Sequence, residues 1–350
     1  MSKIRTLGLQ PLSIRDGQID MSHGAGGRAS AQLIEELFHQ HLGNLYLAQG
    51  DDGAVLPDRG PGELVMTTDC HVVSPIFFPG GDIGCLSING TINDIAVMGA
   101  KPLWLSAGFI LEEGFPLADL ERIVISMADA ARQAGIPIVT GDTKVVGHGK
   151  ADGIFITTSG IGVVEPGKAL SGRKVVAGDA ILISGTIGDH GMAILSKREN
   201  LGFESTISSD TAPMHGLIAQ MLDSGAEIHA LRDATRGGVA SSLNEIARQS
   251  KIGLMLDEET LPIHPVVNAA CELLGIDPLH VANEGKIVAF CASADAAKLL
   301  ASMQAHPLGH DARVIGYACA DPRHHVQMKT SVGGIRFVDW LTGDPLPRIC

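Results

Sequence analysis

Acidic residues recur through the first half of the chain in settings where a ligand site commonly forms. The positions are Asp51-Asp52-Gly53, Asp69, Asn93-Asp94 and Asp142, the last within Gly141-Asp-Thr-Lys144. We expect each to follow a strand-like run or to lie in a glycine-rich turn, although Asp beside Gly is also ordinary turn chemistry. Several carboxylates in one crevice repel one another without a cation, and Mg²⁺ prefers a few carboxylates with phosphate oxygens and water. The pattern predicts a magnesium site of Asp52, Asp69, Asp94 and Asp142.

Three glycine-rich stretches could cradle phosphate groups through backbone N–H donors. They are His23-Gly-Ala-Gly-Gly27, Gly188-Asp-His-Gly191 and Thr235-Arg-Gly-Gly238, and the last two precede helical segments whose N-termini favour anions. None of them matches the P-loop or the dinucleotide fingerprint, so a tight turn is the alternative at each. The candidate nucleotide contacts are Gly24, Gly26, Gly27, Gly237 and Gly238.

Two further side chains could act on a bound substrate. Lys144 directly follows Gly-Asp-Thr and could neutralise a transferred phosphoryl group, with a surface lysine as the alternative. Glu284 precedes a strand-like run in Asn283-Glu-Gly-Lys286 and is a candidate base or ligand, with a solvated turn carboxylate as the alternative.

The cysteines are scattered, and one of them ends the chain. Cys70, Cys85, Cys271, Cys291, Cys319 and Cys350 form no Cys-X-X-Cys pair, which argues against a zinc site and a disulfide framework and indicates a reducing cytoplasm. Cys350 ends a proline-containing segment, and about 10 extended residues at ~3.1 Å each could carry its thiol roughly 30 Å. The residues alone also allow an incidental terminal cysteine.

Charge and hydropathy exclude two classes of partner. The chain has 26 Lys and Arg against 39 Asp and Glu, a net charge of −13, without a basic run that could bind a phosphate backbone. No apolar run approaches the ~20 residues that cross a bilayer, and the N-terminus carries no signal-peptide pattern. We therefore expect neither a nucleic-acid partner nor a membrane.

The predicted elements divide the 350 residues into two domains. Strand-like runs cover 63–68, 104–110, 136–140, 153–159, 180–184 and 286–290. Helical spacing predicts helices through Leu33–Leu42, Leu120–Ala131 and Val239–Ala247, with Gly43 and Gly135 ending the first two. Each half mixes both kinds of element, so the expected fold is α+β, with an N-terminal segment 1–40, domains 41–168 and 169–338, and a mobile tail 339–350.

The motifs become more specific when they are taken together in chain order. Asp51-Asp-Gly53, Thr68-Asp69, the stretch 93–102, Gly141-Asp-Thr143, Gly188–Gly191 and Asp233–Gly238 follow one another. This pattern resembles the ATP-dependent family of aminoimidazole ribonucleotide (AIR) synthase, selenophosphate synthetase and thiamine-monophosphate kinase. The ending Pro347-Arg-Ile-Cys350, with His23–Gly27, resembles the hydrogenase maturation branch of that family over nearly the whole chain.

The resemblance implies an AIR synthase-like (PurM-like) fold whose N-terminal domains pair in a homodimer, with ATP and Mg²⁺ near the domain junction. A carbamoyltransferase partner, HypF, would place a carbamoyl group on Cys350. ATP-dependent dehydration to S-cyanocysteine would release ADP and phosphate, and the HypC–HypD complex would receive the cyano group for the [NiFe] hydrogenase iron. Lys144 would steady the phosphoryl or amide oxygen and Glu284 would accept protons from nitrogen. The resemblance also implies that Asp52, Asp69, Asn93, Asp94 and Asp142 bind the nucleotide and its metal.

Two other functions remain open from the residues. One is a small-molecule kinase or synthetase of the same superfamily, in which Cys350 is incidental. The other is a non-enzymatic carrier that binds its partners through the tail.

Overall fold

The computed structural model describes residues 11–49, 53–58, 61–201, 207–341 and 348–349. Two predicted site residues, Asp52 and Cys350, lie outside the described residues. The predicted domain limits and the mobility of the segment 339–350 stay predictions.

The N-terminal half is built on a four-stranded sheet with the strand order β1-β6-β4-β5. Only β4 and β5 run parallel, while β6 pairs antiparallel with both β1 and β4. The strands are β1 (Glu63–His71), β4 (Lys101–Glu112), β5 (Ile138–Val146) and β6 (Ile154–Val164), and a short hairpin is formed by β2 (Phe77–Phe78) and β3 (Gly81–Asp82). The helices are α1 (Arg28–Leu33), α2 (His39–Leu42), α3 (Ile83–Val97) and α4 (Leu117–Ala134), with a π-helical turn at Ile34–Phe38 that joins α1 to α2.

Helix α4 forms where the apolar spacing predicts it. Leu120, Ile123 and Met127 recur at helical intervals and are fully buried, so one stripe of the helix faces the core. Gly135 ends the helix in the left-handed conformation, with φ 71°, because a residue without Cβ adopts that region at little cost. The sequence prediction of this helix and its stop is confirmed.

The C-terminal half is built on a seven-stranded sheet with the order β13-β12-β9-β11-β7-β10-β8. The central strands β7 and β10 are buried at every position, which is typical of strands covered on both faces. The strands are β7 (Ala180–Ile183), β8 (Ile228–Asp233), β9 (Gly253–Asp257), β10 (Ile287–Cys291), β11 (Arg313–Cys319), β12 (Val326–Lys329) and β13 (Ile335–Phe337). The helices are α5 (Asp189–Arg198), α6 (His215–Asp223), α7 (Gly238–Ser250), α8 (Pro265–Leu274) and α9 (Ala296–Gln304).

Buried apolar side chains form separate clusters on the faces of the two sheets. One cluster covers the face of the seven-stranded sheet that contacts α7, and another covers its opposite face under α6 and α9. The largest cluster surrounds α3 and α4 and also takes in residues of α5 and α8, so it joins the two halves. None of the described helices is long and apolar enough to span a bilayer.

The acidic residues do not occupy the local structures that the sequence predicted for them. Asp69 lies within β1 and Asp142 within β5, while Asn93 and Asp94 lie within α3 rather than in a glycine-rich turn. Helix α3 is buried on nearly all sides and therefore lacks the apolar–polar alternation that would reveal it. Its Gly90 permits close packing on β1, since a Cβ there would lie 3.4 Å from Asp69 Oδ2.

The stripe of α4 offers a matched test of core packing. Ile123 is fully buried, whereas Ile125 on the same helix is 38% exposed. We expect Ile123→Ala to lower the free energy of unfolding by about 3 kcal/mol, because it leaves a cavity, and Ile125→Ala to lower it by less than about 1 kcal/mol. Guanidinium unfolding of both variants checks this, and equal losses would contradict the packing described.

Candidate functional site

A buried acid, Glu284, lies where the two halves meet. Its side chain is 4% exposed, and no described residue offers a hydrogen bond to Oε1. Its backbone is fixed from both sides: its N–H donates to Asp210 Oδ1 at 2.9 Å, and its carbonyl accepts from Asn93 Nδ2 at 3.2 Å. Lys286 also pairs with Asp210, at 3.0 Å. Glu284 therefore has a fixed backbone and a buried carboxyl group with an unused oxygen, rather than the solvated turn carboxylate of the alternative interpretation.

Carboxylates from both halves surround this acid. Burial first, and then Asp210 and Asp233, raise the pKa of Glu284 well above its ordinary value. Burial and the charge of Asp233 raise the pKa of Asp94 to about 7, although the hydrogen bond from Thr67 Oγ1 acts to lower that pKa. A bound cation would relieve this repulsion, so the group has the character of a cation site.

The residues predicted to bind magnesium divide into two groups. Asp69 and Asp94 belong to the carboxylate group, since each adds to the charge that Glu284 experiences. Among the described residues, no three His, Cys, Asp or Glu side chains already stand in metal-binding geometry. Asp69 and Asp94 thus fit Mg²⁺ as part of a larger set of ligands. Asp52, a further predicted ligand, lies outside the described residues.

Asp142 and Lys144 lie elsewhere in the same chain. Asp69 pairs in register with Thr158, and Thr158 with Ala107, both buried, so Asp69 points to the face that α3 covers. Asp142 is in register with Gly108, the residue after Ala107, so its side chain points to the opposite, outward face of the sheet. Strand β5 is separated from β1 by three strand spacings, roughly 14 Å. Within a single chain, Lys144 therefore does not lie next to Glu284, and Asp142 does not lie next to Asp69.

A cavity of about 220 Å³ lies beside Asp142 and Lys144. Its walls combine the apolar side chains of Leu33, Phe38 and Phe109 with the backbone of Gly24 and Gly26, and Lys144 Nζ lies 3.6 Å from Asp142 Oδ2. An apolar wall with a lysine at its rim suits a flat ring attached to phosphate. The Gly26 N–H donates to Ser30 Oγ at 2.9 Å in this structure. Gly27, the third predicted glycine of this stretch, is the N-cap of α1.

The glycines at 237 and 238 begin α7 beside the carboxylate group. Both adopt positive φ, 73° and 62°, and a Cβ on Gly238 would overlap the carbonyl oxygen of Leu279. The helix begins five residues after Asp233 and has no side-chain cap, so N–H groups of its first turn are directed toward the site, although the Gly238 N–H itself donates to the Thr235 carbonyl. Asn93 has partners within the chain: its Nδ2 donates to the Ala212 and Glu284 carbonyls and its Oδ1 accepts from the Met214 N–H, so it ties the halves together. Its contact with the nucleotide stays a prediction.

The end of the chain reaches this region. The Ile349 carbonyl accepts a hydrogen bond from His190 Nε2 at 2.7 Å, and His190 Nδ1 lies 2.8 Å from Ser209 Oγ. Ser209 immediately precedes Asp210, the partner of the Glu284 backbone. Sequence reasoning missed His190, Asp210 and Asp233 as members of the site; the motifs Gly188–Gly191 and Asp233–Gly238 contain two of them, whereas nothing distinguishes Asp210.

The raised pKa of Asp94 predicts a pH-dependent stability in metal-free protein. Between about pH 4 and 7 the unfolded chain has released this proton and the folded chain keeps it, so stability falls as pH rises. Asp94→Asn should reduce that fall by on the order of 3 kcal/mol. Urea unfolding at pH 4.5 and 7.5 in EDTA checks this, with the 75% exposed Asp142 changed to Asn as control. Equal pH slopes in wild type and Asp94→Asn would contradict it.

Comparison with known proteins agrees with the fold. The family "AIR synthase related protein" matches with its N-terminal domain at residues 50–164 and its C-terminal domain at residues 176–329. The carbamoyl dehydratase HypE of Cupriavidus necator is 62% identical over 351 residues, covering 100% of both chains.

Solved structures extend the comparison. A crystal structure of hydrogenase maturation protein HypE in complex with ATP is 46% identical with a TM-score of 0.90, covering 94% of this chain and 99% of the other. A chain in a crystal structure of a HypE–HypF complex is 50% identical with a TM-score of 0.78, covering 88% and 99%. On this identity and coverage, the chain belongs to the HypE family of hydrogenase maturation carbamoyl dehydratases, within the AIR synthase related proteins.

Proposed function

We propose that this enzyme uses ATP to dehydrate an S-carbamoyl group on its own Cys350 to S-cyanocysteine, which supplies the cyanide ligands of the [NiFe] hydrogenase iron. The observation that carries the proposal is the position of the chain end. The Ile349 carbonyl accepts a hydrogen bond from His190, and His190 is hydrogen-bonded to Ser209. Asp210, the residue after Ser209, accepts a hydrogen bond from the Glu284 N–H. The segment that ends in the substrate thiol is thus linked through His190 and Ser209 to Asp210, the residue that accepts from the backbone of the buried acid.

The proposed reaction balances without a further reactant. The carbamoyl oxygen attacks the γ-phosphorus of ATP and ADP leaves. The carbon–oxygen bond then breaks with phosphate as leaving group, while nitrogen loses two protons and C≡N forms. Amide oxygen is a poor leaving group, so phosphorylation makes its departure feasible, and the process depends on positioning and charge neutralisation.

Each candidate residue has a role that its setting supports. Glu284, a buried carboxyl group whose Oε1 has no hydrogen-bond partner among the described residues, would accept protons from the nitrogen. Burial and the neighbouring carboxylates raise its pKa, which favours the protonated product of that transfer. Lys144 would steady the phosphoryl or amide oxygen. Mg²⁺ held by Asp69 and Asp94, with Asp52 and Asp142, would supply charge neutralisation on the phosphates. The glycines Gly24, Gly26, Gly27, Gly237 and Gly238 would contact the nucleotide.

Mass spectrometry of the C-terminal peptide tests the reaction. The protein is incubated with HypF, carbamoyl phosphate and ATP–Mg²⁺. We expect one carbamoyl group on Cys350, followed by ATP-dependent loss of one water with release of ADP and phosphate. An unmodified Cys350 beside demonstrably active HypF would overturn the proposal and favour a free small-molecule substrate.

Substitution of the thiol tests its role directly. Cys350→Ala should fold and bind ATP as the wild type does, yet yield no mature hydrogenase, because the acceptor atom is gone. Cys319→Ala is the matched control, since Cys319 is a partly exposed cysteine on β11, outside the proposed site and the proposed dimer face. Normal hydrogenase maturation by Cys350→Ala in a strain that lacks the wild-type protein would defeat the mechanism.

The proposal includes a homodimer through the N-terminal sheet. Helix α3 covers one face of this sheet, whereas the other face exposes apolar side chains, with Leu64 76% and Met66 72% exposed. Ile161 lies opposite Met66 in register and extends the apolar strip. Asp142 and Lys144 point outward on this same face. A second copy on this face would bury the strip and carry Lys144 of one chain toward Glu284 of the other.

A shared site predicts complementation between two inactive variants. Lys144→Ala and Glu284→Gln should each lose dehydration, but a reassorted equal mixture should regain about a quarter of wild-type activity, because half the dimers hold one intact site of two. Met66→Asp, placed on both chains, should prevent recovery by disrupting the apolar strip. Full inactivity of the mixture, with heterodimers demonstrated by native mass spectrometry, would contradict the shared site.

The two proposed partners act on Cys350 at different steps, one before dehydration and one after it. HypF delivers the carbamoyl group, in line with the relative that was crystallised with HypF. HypC–HypD receives the cyano group on its iron. We place these encounters in the cytoplasm, as the scattered cysteines predict.

A further inference from the structure

We propose that His190 and Arg198, both on α5, are positioning residues that latch the C-terminal segment in the dehydration site by its main-chain carbonyls. This inference rests on the proposed function, because it gives the latch a purpose in that reaction. It concerns residues that none of the sequence motifs marked as catalytic. The described part of the segment is the dipeptide Arg348-Ile349.

Two donors hold the carbonyl of Arg348. Arg198 Nη2 donates to it at 2.9 Å, and the Ser74 N–H donates to it at 3.1 Å. The same guanidinium donates from Nε and Nη2 to the Ser74 carbonyl, at 2.9 and 2.7 Å. Arg198 therefore fixes the chain end and its receiving loop together, with hydrogen bonds that are strong because the donor is charged.

One donor holds the next carbonyl. His190 is fully buried, and its Nε2 lies 2.7 Å from the Ile349 oxygen. A carbonyl oxygen only accepts, so Nε2 carries the proton. In the neutral ring Nδ1 then accepts from the Ser209 hydroxyl at 2.8 Å, and Phe78 packs edge-on against the ring. Both ring nitrogens are thus hydrogen-bonded: Nδ1 fixes the tautomer through Ser209, and Nε2 holds the Ile349 carbonyl.

The side chains of Arg348 and Ile349 make further contacts with the surface that holds the dipeptide, which we call its seat. Ile349 is 5% exposed and packs into the cluster that joins the two halves. The Arg348 side chain pairs with Asp152 of the N-terminal half, while its carbonyl is held by α5 of the C-terminal half. The seat therefore requires both halves, as does the setting of Glu284.

The latch uses no atom of the substrate thiol. Its polar contacts are to the two carbonyls and to the Arg348 side chain, so carbamoylation of the next residue leaves all of them intact. Ile349 is joined directly to Cys350, and consecutive Cα atoms are 3.8 Å apart, so holding Ile349 limits where the thiol can go. The latch would thus serve dehydration and would have to open for carbamoylation by the partner.

Hydrogen exchange and reaction rates on the full-length chain test the latch. Arg198→Ala is compared with Lys197→Ala, an exposed neighbour on the same helix. We expect Arg198→Ala to raise exchange of the Ser74 N–H about tenfold, toward the value of a chain that lacks residues 348–350, and Lys197→Ala to leave it unchanged. Dehydration of carbamoylated Cys350 should slow about tenfold in Arg198→Ala, while carbamoylation by HypF is not slowed.

A second pair of variants separates donation from packing. His190→Gln keeps a donor near the Nε2 position and should retain most of the dehydration rate, whereas His190→Leu should not. Arg198→Ala that matches Lys197→Ala in exchange and in dehydration would overturn the latch, as would an equal slowing of both reaction steps. If wild-type Cys350 were never dehydrated, the proposed function would fail, while exchange at Ser74 would still decide whether the latch exists.

Discussion

The cost of keeping a carboxyl group buried among other carboxylates determines the architecture around Glu284. A charged group in this position would lose hydration and face Asp210 and Asp233. The fold compensates by fixing the backbone on both sides, with Asp210 and Asn93 as partners, and by placing Lys286 against Asp210. Gly285 completes the arrangement, because any Cβ there would overlap the Asp210 carbonyl. So many contacts around one buried acid, whose Oε1 has no hydrogen-bond partner among the described residues, are typical of a functional site rather than of an ordinary core.

The same constraint explains why the site is divided. A cluster of carboxylates tolerates few further charges of its own sign, and the fold keeps Asp142 on the opposite face of the sheet from Asp69. The outward face that carries Lys144 on β5 also carries the exposed Leu64 and Met66, which lie on β1 at the other edge of the sheet. Apolar strips of this kind are costly in water, so the face that holds the lysine is also the one most favourable to cover. In the proposed dimer, association and completion of the site would be one event.

Sequence patterns predicted the elements with clear periodicity and missed what depends on tertiary packing. The stripe of α4 and its stop at Gly135 were visible, as were the strands β1, β4 and β7. Helix α3 was not, because a helix buried on every side has no polar face to mark its period. The chemistry of Glu284 followed the family resemblance, but its burial could not be read from Asn283-Glu-Gly-Lys286. Asp210 and Arg198 have ordinary sequence surroundings and acquire a role only through contacts more than 70 residues away.

The chain end faces two requirements that a fixed catalytic residue would not meet. In the proposed cycle its thiol must be offered to two partners and also be enclosed beside a buried acid. Holding the segment by backbone carbonyls suits both, since the contacts are independent of what the thiol carries and each is a single hydrogen bond that water can replace. The seat of Arg348 and Ile349 draws on both halves of the molecule, so any change in how the halves meet would alter it together with Glu284. If the proposed ATP site lies at this junction, nucleotide binding would set when the segment is held without contacting it.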